Sequence, residues 1–128
     1  AEHKLEWESL ERTMQLISGR AFEGCICAAD LEEVKKAVEL QPNYIAYEPP
    51  ELIGNTEKSV ASEKPEVIEK AVQMSRYPIL VGAGIHSPED VKIGLKLGAK
   101  GVLISTDVVM AEIPETRLRE LAAAFSNQ

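Results

Sequence analysis

The sequence predicts an α/β fold built from parallel strand-helix units, and three observations carry that reading. Short apolar runs alternate with longer amphipathic stretches along the 128 residues, the pattern of βα units. The runs Ile79-Leu80-Val81 and Val102-Leu103-Ile104 are apolar at every position rather than at every second one, as strands covered by helices are. Helix punctuation falls in the intervals, with Asp30 and Ser87 in capping positions and Pro65 and Pro88 in first turns. A chain of this length fits one domain with a real core, so residues 1–128 are expected to form a single domain.

The elements follow in order. Leu5, Leu10, Met14 and Ile17 recur at helical steps, so residues 5–17 read as an amphipathic helix ending near Gly19, with Trp7 off the apolar stripe. Residues 21–28 are small or apolar and too few for an ordinary helix, which makes them a strand. Asp30 and Glu33 have capping-box spacing, and the helix running to Leu40 places Leu31, Val34, Ala37 and Val38 on one side. A second strand covers residues 44–47. A loop containing Pro and Gly then leads to a helix that starts at Pro65 and ends near Ser75. The third strand, residues 78–81, runs through Gly82-Ala83-Gly84 to a helix capped by Ser87, with Gly98 just beyond its end. The fourth strand is residues 101–104, followed by a polar turn, a single helical turn at residues 108–111 and a last helix over residues 114–125. One helix followed by four strand-helix pairs is compatible with an open doubly wound sheet and with part of a closed eightfold barrel; composition leaves both open.

Charge and cysteine usage narrow the partners. With 21 acidic and 14 basic residues the formal charge is −7, so the positive field that draws nucleic acid or an anionic membrane is missing. No apolar run approaches the roughly 20 residues of a spanning helix, and residues 1–8 lack a cationic-then-apolar signal pattern; the expectation is a soluble, cytoplasmic chain. Cys25 and Cys27 sit two apart, on one face of a strand, and read as buried reduced thiols. His3 and His86 are too far away in sequence to complete a metal set with them, and no metal is expected.

In either architecture ligands bind at the carboxyl ends of the strands, so the residues that follow each apolar run are the candidates for chemistry. In Tyr47-Glu48-Pro49-Pro50-Glu51-Leu52-Ile53-Gly54 an acid ends a buried strand and a stiff diproline opens a long loop. A partly desolvated carboxylate there suits a general base; on residue types alone, a strand-end cap or ion pair is the slightly favoured reading. Gly82-Ala83-Gly84-Ile85-His86-Ser87 lets backbone amides approach an anion at a helix start, although it is also an ordinary strand-to-helix turn. Ser105-Thr106-Asp107 follows the last strand, where eightfold barrels often hold phosphate. Asp107 places a negative charge beside such an anion, a cost unless it points away or is paired. His86 reads as a loop histidine, and the Glu- and Lys-rich face of Glu32, Glu33, Lys35 and Lys36 as solvated surface.

At these segments the sequence resembles triosephosphate isomerase of the archaeal type. The resemblance is carried by Tyr44-Ile-Ala-Tyr-Glu-Pro-Pro-Glu-Leu-Ile-Gly54, Lys64-Pro-Glu-Val-Ile68, Val81-Gly-Ala-Gly-Ile85 with Glu89-Asp-Val91, and Leu97-Gly-Ala followed by Gly101-Val-Leu103. It implies about half of a TIM (β/α)8 barrel, with four strands and an extra N-terminal helix, corresponding to the fifth to eighth βα units. It further implies interconversion of glyceraldehyde 3-phosphate and dihydroxyacetone phosphate, with Glu48 as general base and Gly54, Gly84, Thr106 and Asp107 as the backbone phosphate cradle. The resemblance also implies the established chemistry of that family, a glutamate base and a neutral histidine electrophile under a loop that excludes water.

No cofactor is implied. The implied partners are a triose phosphate, and a homo-oligomer or a complementing N-terminal half. Three departures stand out. The family's lid continues Gly-Thr-Gly where this chain has Gly54-Asn55-Thr56, and its last phosphate loop reads Ala-Ser-Gly where this chain has Ser105-Thr106-Asp107. The family's electrophilic histidine belongs to an Asn-His-Ser-Glu motif of which Ala1-Glu2 matches only the last two positions, with Ala1 for Ser and Glu2 in a supporting place. An eightfold barrel typically takes about 250 residues, and four strands make half of one. The expected consequence is two open sheet edges and an uncovered apolar inner face, which invite pairing with another chain.

Overall fold

A computed structural model describes residues 3–126; Glu2 lies outside the described residues. Its elements run α1 (Trp7–Ile17), β1 (Cys25–Ala28), α2 (Leu31–Glu39), β2 (Tyr44–Tyr47), a 3-10 turn (Pro50–Leu52), α3 (Val60–Glu63), α4 (Pro65–Met74), β3 (Ile79–Val81), α5 (Pro88–Lys96), β4 (Gly101–Val102), α6 (Thr106–Val109) and α7 (Pro114–Ala123). The four strands form one parallel sheet in the order β1-β2-β3-β4.

That order decides between the two architectures the sequence allows. Each strand pairs with the next one in the chain, and crossovers between parallel strands share one hand, so successive helices fall on one face. A doubly wound sheet reverses its strand order to place helices on both faces, and this sheet does not reverse. The molecule is a run of (β/α) units wound as a barrel is wound.

Register places Ile26, Ile45 and Ile79 side by side, and likewise Ala28, Tyr47 and Val81. These residues are buried, and the same core holds Val34 and Ala37 of α2, Ile68 and Ala71 of α4, Val91 of α5 and Leu121 of α7. Each large aliphatic side chain removed from water in this way contributes roughly 1.5–3 kcal/mol. The alternate positions, Cys25 and Cys27 on β1 with Tyr44, Ala46 and Leu80 beside them, form the other, inner face. β1 and β4 are the two edges of the sheet.

The inner face accounts for the main correction to the sequence reading. Cys25 and Cys27 are free thiols and exposed, not buried; Ile26 and Ala28, their neighbours along β1, take the helix-covered side. The two thiols face a space that His3, Lys4, Leu5 and Leu10 also line, and among the described residues no second layer closes over them.

Element ends shift for local reasons. The first strand begins at Cys25 rather than residue 21, because its ladder starts only where β2 starts, and the Gly24 carbonyl accepts from the amides of Asn43 and Tyr44 instead. The fourth strand stops at Val102, although the Leu103 amide still donates to the Val81 carbonyl at 2.9 Å. The helical turn expected at residues 108–111 begins two residues earlier, at Thr106, since the Ser105 carbonyl accepts from Val108 and Val109. Asp30 caps α2 by accepting from the Glu33 amide at 2.9 Å. The Glu33 carboxylate reaches back to the Ala29 amide, also at 2.9 Å, one residue before the usual capping-box partner. Val34 and Ala37 are buried on α2, while Leu31 and Val38 are half-buried. The 3-10 turn and α3, inside the stretch read as loop, were not anticipated.

Candidate functional site

Glu48 is the residue after β2, so it shares the inner face with Ala46. Its amide donates to the Ala28 carbonyl at 2.9 Å, and the Gly82 amide donates to the Tyr47 carbonyl at 3.0 Å, which fixes the backbone between both neighbouring strands. The carboxyl group lies over Gly82: a Cβ on that residue would sit 2.2 Å from Glu48 Oε1 and 2.8 Å from its Cγ and Cδ. A side chain at residue 82 and the carboxyl group in this position exclude one another.

A cavity of about 330 Å³ opens in front of Glu48, lined also by Gly54, Gly84, Thr106 and Asp107. The structure thus brings together every described residue singled out from the sequence. Asn55, Thr56, His86 and Ser105 line the same space. On the other side of Glu48 a second cavity of about 320 Å³ is lined by Cys25, Cys27, His3 and Lys4 among others. The two thiols influence each other there. The Cys27 thiol, as hydrogen-bond donor, holds Cys25 below the usual thiol range. Cys27 is driven upward by Cys25, then by burial and by the Glu48 charge.

The turn after β3 is strained where it meets the cavity. Ala83 has φ 77° and Gly84 φ 69°, a left-handed pair in which alanine costs roughly 1–2 kcal/mol. Neighbours impose it: the Ala83 carbonyl accepts from the Val60 amide at 3.1 Å, and a Cβ on Gly84 would meet the Lys58 carbonyl oxygen at 2.1 Å. The end of the long loop is therefore docked on this turn with no space for a side chain between them.

The long loop is shaped by residues that depart from the resembled family. The Asn55 side chain accepts from the Glu57 and Lys58 amides at 2.9 and 2.8 Å, closing an Asx turn. Ser59 is fully buried; it forms a reciprocal cap with Ser62 at the start of α3 and donates its hydroxyl to the Asp90 carboxylate. Asp90 in turn accepts from the Ser87 hydroxyl at 2.7 Å and the His86 amide at 3.2 Å. One buried carboxylate joins the exit of the loop to the turn after β3. At the loop's entrance Glu51 pairs with Lys64, which lowers the carboxyl pKa and raises that of the amine.

Asp107 is paired, the condition under which its charge is tolerable. Arg117 of α7 donates Nε to Asp107 Oδ2 at 2.6 Å and Nη2 to Oδ1 at 3.2 Å. Nη2 also reaches the His86 carbonyl, and Nη1 donates to Glu120 at 3.0 Å. Its acidic neighbours, Asp107 first, raise the Arg117 pKa.

Sequence reasoning missed Ser59, Asp90 and Arg117, and took Gly82 as part of an anion turn rather than as the floor beneath Glu48. The spacing Ser59-x-x-Ser62 is close to a capping box and offered a signal. Arg117 offered none, since nothing in a linear pattern relates it to Asp107 ten residues earlier or to His86. Among the described residues no cluster of three or more His, Cys, Asp or Glu could hold a metal ion, and no helix is long and apolar enough to cross a membrane.

Comparison with known proteins agrees with this arrangement. The triosephosphate isomerase family model matches residues 17–121. Triosephosphate isomerase of Thermoplasma volcanium is 39% identical over 124 residues, covering 94% of this chain and 58% of the relative. That of Cenarchaeum symbiosum is 37% identical, covering 98% and 58%. The chain thus spans somewhat over half the length of these relatives. Among solved structures, the tryptophan synthase α-subunit from Pyrococcus furiosus superposes with a TM-score of 0.75 at 17% identity, over 94% of this chain and 52% of that one. Thiamine phosphate pyrophosphorylase from the same organism gives 0.70 at 18%, over 91% and 54%; at such identities these likenesses show the barrel fold alone. With its family match over most of its length, and about half of a (β/α)8 barrel in its fold, the chain belongs to the triosephosphate isomerase family.

Proposed function

We propose that this chain supplies the base and the phosphate-cradling half of a triosephosphate isomerase active site, acting on glyceraldehyde 3-phosphate and dihydroxyacetone phosphate in the cytoplasm. The observation that supports it is the Glu48 carboxyl at the tip of an inner strand, facing one cavity with Gly54, Gly84, Thr106 and Asp107. Glu48 as carboxylate takes a proton from the carbon beside the carbonyl. The electron pair left behind forms a carbon-carbon double bond while the carbonyl π pair moves onto its oxygen, giving an enediolate. A proton passes from the neighbouring hydroxyl to that oxygen, and Glu48 returns its proton to the adjacent carbon as the new carbonyl forms, so nothing is gained or lost overall. Thr106 and Asp107 open α6, where amides have no intrahelical acceptor and are free to meet phosphate oxygens; no metal or organic cofactor enters. The open edges and uncovered inner face call for a second partner, either a complementing N-terminal half or another copy.

The test is turnover of glyceraldehyde 3-phosphate by the complete barrel, meaning this chain together with the segment that supplies its remaining strands. Glu48→Gln is expected to cost roughly 10²–10⁴-fold in kcat; a fully active variant would remove Glu48 from the role. A second reading, ligand binding without turnover, is favoured by one feature of the chain by itself. Among the described residues no lysine or arginine lines the 330 Å³ cavity, and an enediolate needs a donor at its oxygen. Binding of a triose phosphate by the complete barrel without turnover would favour that reading.

A further inference from the structure

We infer that Arg117 is a positioning residue that sets the anion affinity of the cavity from behind it, by cancelling the charge of Asp107 and tying the turn after β3 to the turn after β4. The inference rests on the phosphate-cradle reading above and adds to it a residue that does not line the cavity.

Asp107 lines the cavity from the β4 turn and His86 from the β3 turn. Both are held by one guanidinium group: two parallel donations to the Asp107 carboxylate, and one to the His86 carbonyl. The fork geometry of arginine suits this, since it engages both carboxylate oxygens and keeps a further donor for the carbonyl. Arg117 is about one quarter exposed and Asp107 about one fifth, so screening by water is incomplete. A carboxylate left uncancelled at the rim would repel a phosphate dianion, and the two turns would lose their common anchor. Glu120 also faces the guanidinium. It shares the positive charge, yet contacts Arg117 through Nη1 only, leaving the Asp107 fork intact.

The expected signature is in binding rather than in folding. Inorganic phosphate is titrated into the 128-residue chain and followed by phosphorus NMR, with circular dichroism as the control for fold. In the complete barrel, KM and kcat for glyceraldehyde 3-phosphate are measured alongside. Arg117→Gln is expected to weaken phosphate binding and raise KM by roughly tenfold, the scale of one partly screened charge, with kcat within about threefold. Arg117→Gln combined with Asp107→Asn is expected to recover most of that loss, because no charge is then left to cancel. Unchanged phosphate affinity in Arg117→Gln overturns the inference, and so does a double variant that recovers nothing. A loss of kcat with KM unchanged would show a merely structural role and overturns it as well. If the unsubstituted chain and the complete barrel both fail to bind phosphate, the cradle itself is refuted and this inference with it, a result distinct from that of an Arg117 variant that behaves as its parent.

Discussion

Glu48 and Gly82 occupy one another's space: the carboxyl oxygen lies 2.2 Å from the point where a Cβ on residue 82 would stand. The conflict involves the far end of a flexible side chain rather than backbone. Gly82→Ala is therefore expected to leave the fold intact while turning the carboxyl away from the cavity. Displacing a reacting group by about 1 Å can cost roughly 10²-fold, so kcat should fall by at least that much in the complete barrel with little change in the unfolding midpoint. Activity equal to the parent's would show that the base works from another rotamer, or that Glu48 is not the base.

Gly84→Ala is expected to behave in the opposite way. Its Cβ would meet a backbone oxygen, that of Lys58 at 2.1 Å, and the residue sits at φ 69°. No rotamer change relieves a clash with backbone, so the loop end must lift off the β3 turn. A loss of roughly 2–4 kcal/mol in stability follows, read by denaturant unfolding. A change below about 0.5 kcal/mol would mean that this docking contact does not persist in solution.

Asp90 and Ser59 test whether the loop exit is held by the buried network. Asp90→Ala leaves the hydroxyls of Ser59 and Ser87 and the His86 amide without their acceptor, and each unsatisfied buried group costs roughly 1–3 kcal/mol. Ser59→Ala removes one donor while Asp90 keeps two others, and also removes the acceptor that caps the Ser62 amide, so its cost should be about 1–2 kcal/mol. Hydrogen exchange at Lys58, Ser59 and Val60 should quicken in both variants, and more in Asp90→Ala. Equal effects from the two would break the argument that the carboxylate is the hub.

The legible part of this fold was what repeats. The caps Asp30 and Ser87, the prolines 65, 88 and 114, and the runs at β2 and β3 give the order of elements, because each is a local signal with a local cause. Strand ends were less legible. β4 keeps two residues of an apolar run of four, since ladder length depends on the partner strand and not on the run itself. The candidate residues Glu48, Gly84, Thr106 and Asp107 were found because the ends of parallel strands converge whatever the sequence between them. Arg117 and Asp90 were invisible for the reverse reason. Each acts across two helices or turns, and no periodicity links Asp90 to Ser59 or Arg117 to His86. The exposure of Cys25 and Cys27 was unreadable for a third reason: an apolar strand face looks the same whether or not a second layer covers it.

The thiol pair yields a prediction that also reports on Glu48. Cys25 is held below the usual thiol range by the Cys27 hydrogen bond, whereas Cys27 is driven up by Cys25, by burial and by the Glu48 charge. Only the thiolate is alkylated, and at a given pH the group with the lower pKa has the larger thiolate fraction. In the 128-residue chain iodoacetamide should therefore modify Cys25 first, at a rate that rises with pH and levels off once pH exceeds its lowered pKa. Cys27 should stay behind throughout that window. Because the Glu48 charge raises both thiols, Glu48→Gln should speed labelling at each, with the larger relative gain at Cys27, where Glu48 acts both through charge and as a hydrogen-bond partner. Peptide mass spectrometry over pH 7 to 9 reads both rates at once. Equal rates at the two cysteines would break the thiol pairing, whereas labelling unchanged by Glu48→Gln would place the carboxylate away from β1 and remove it from the position on which the proposed proton transfer depends.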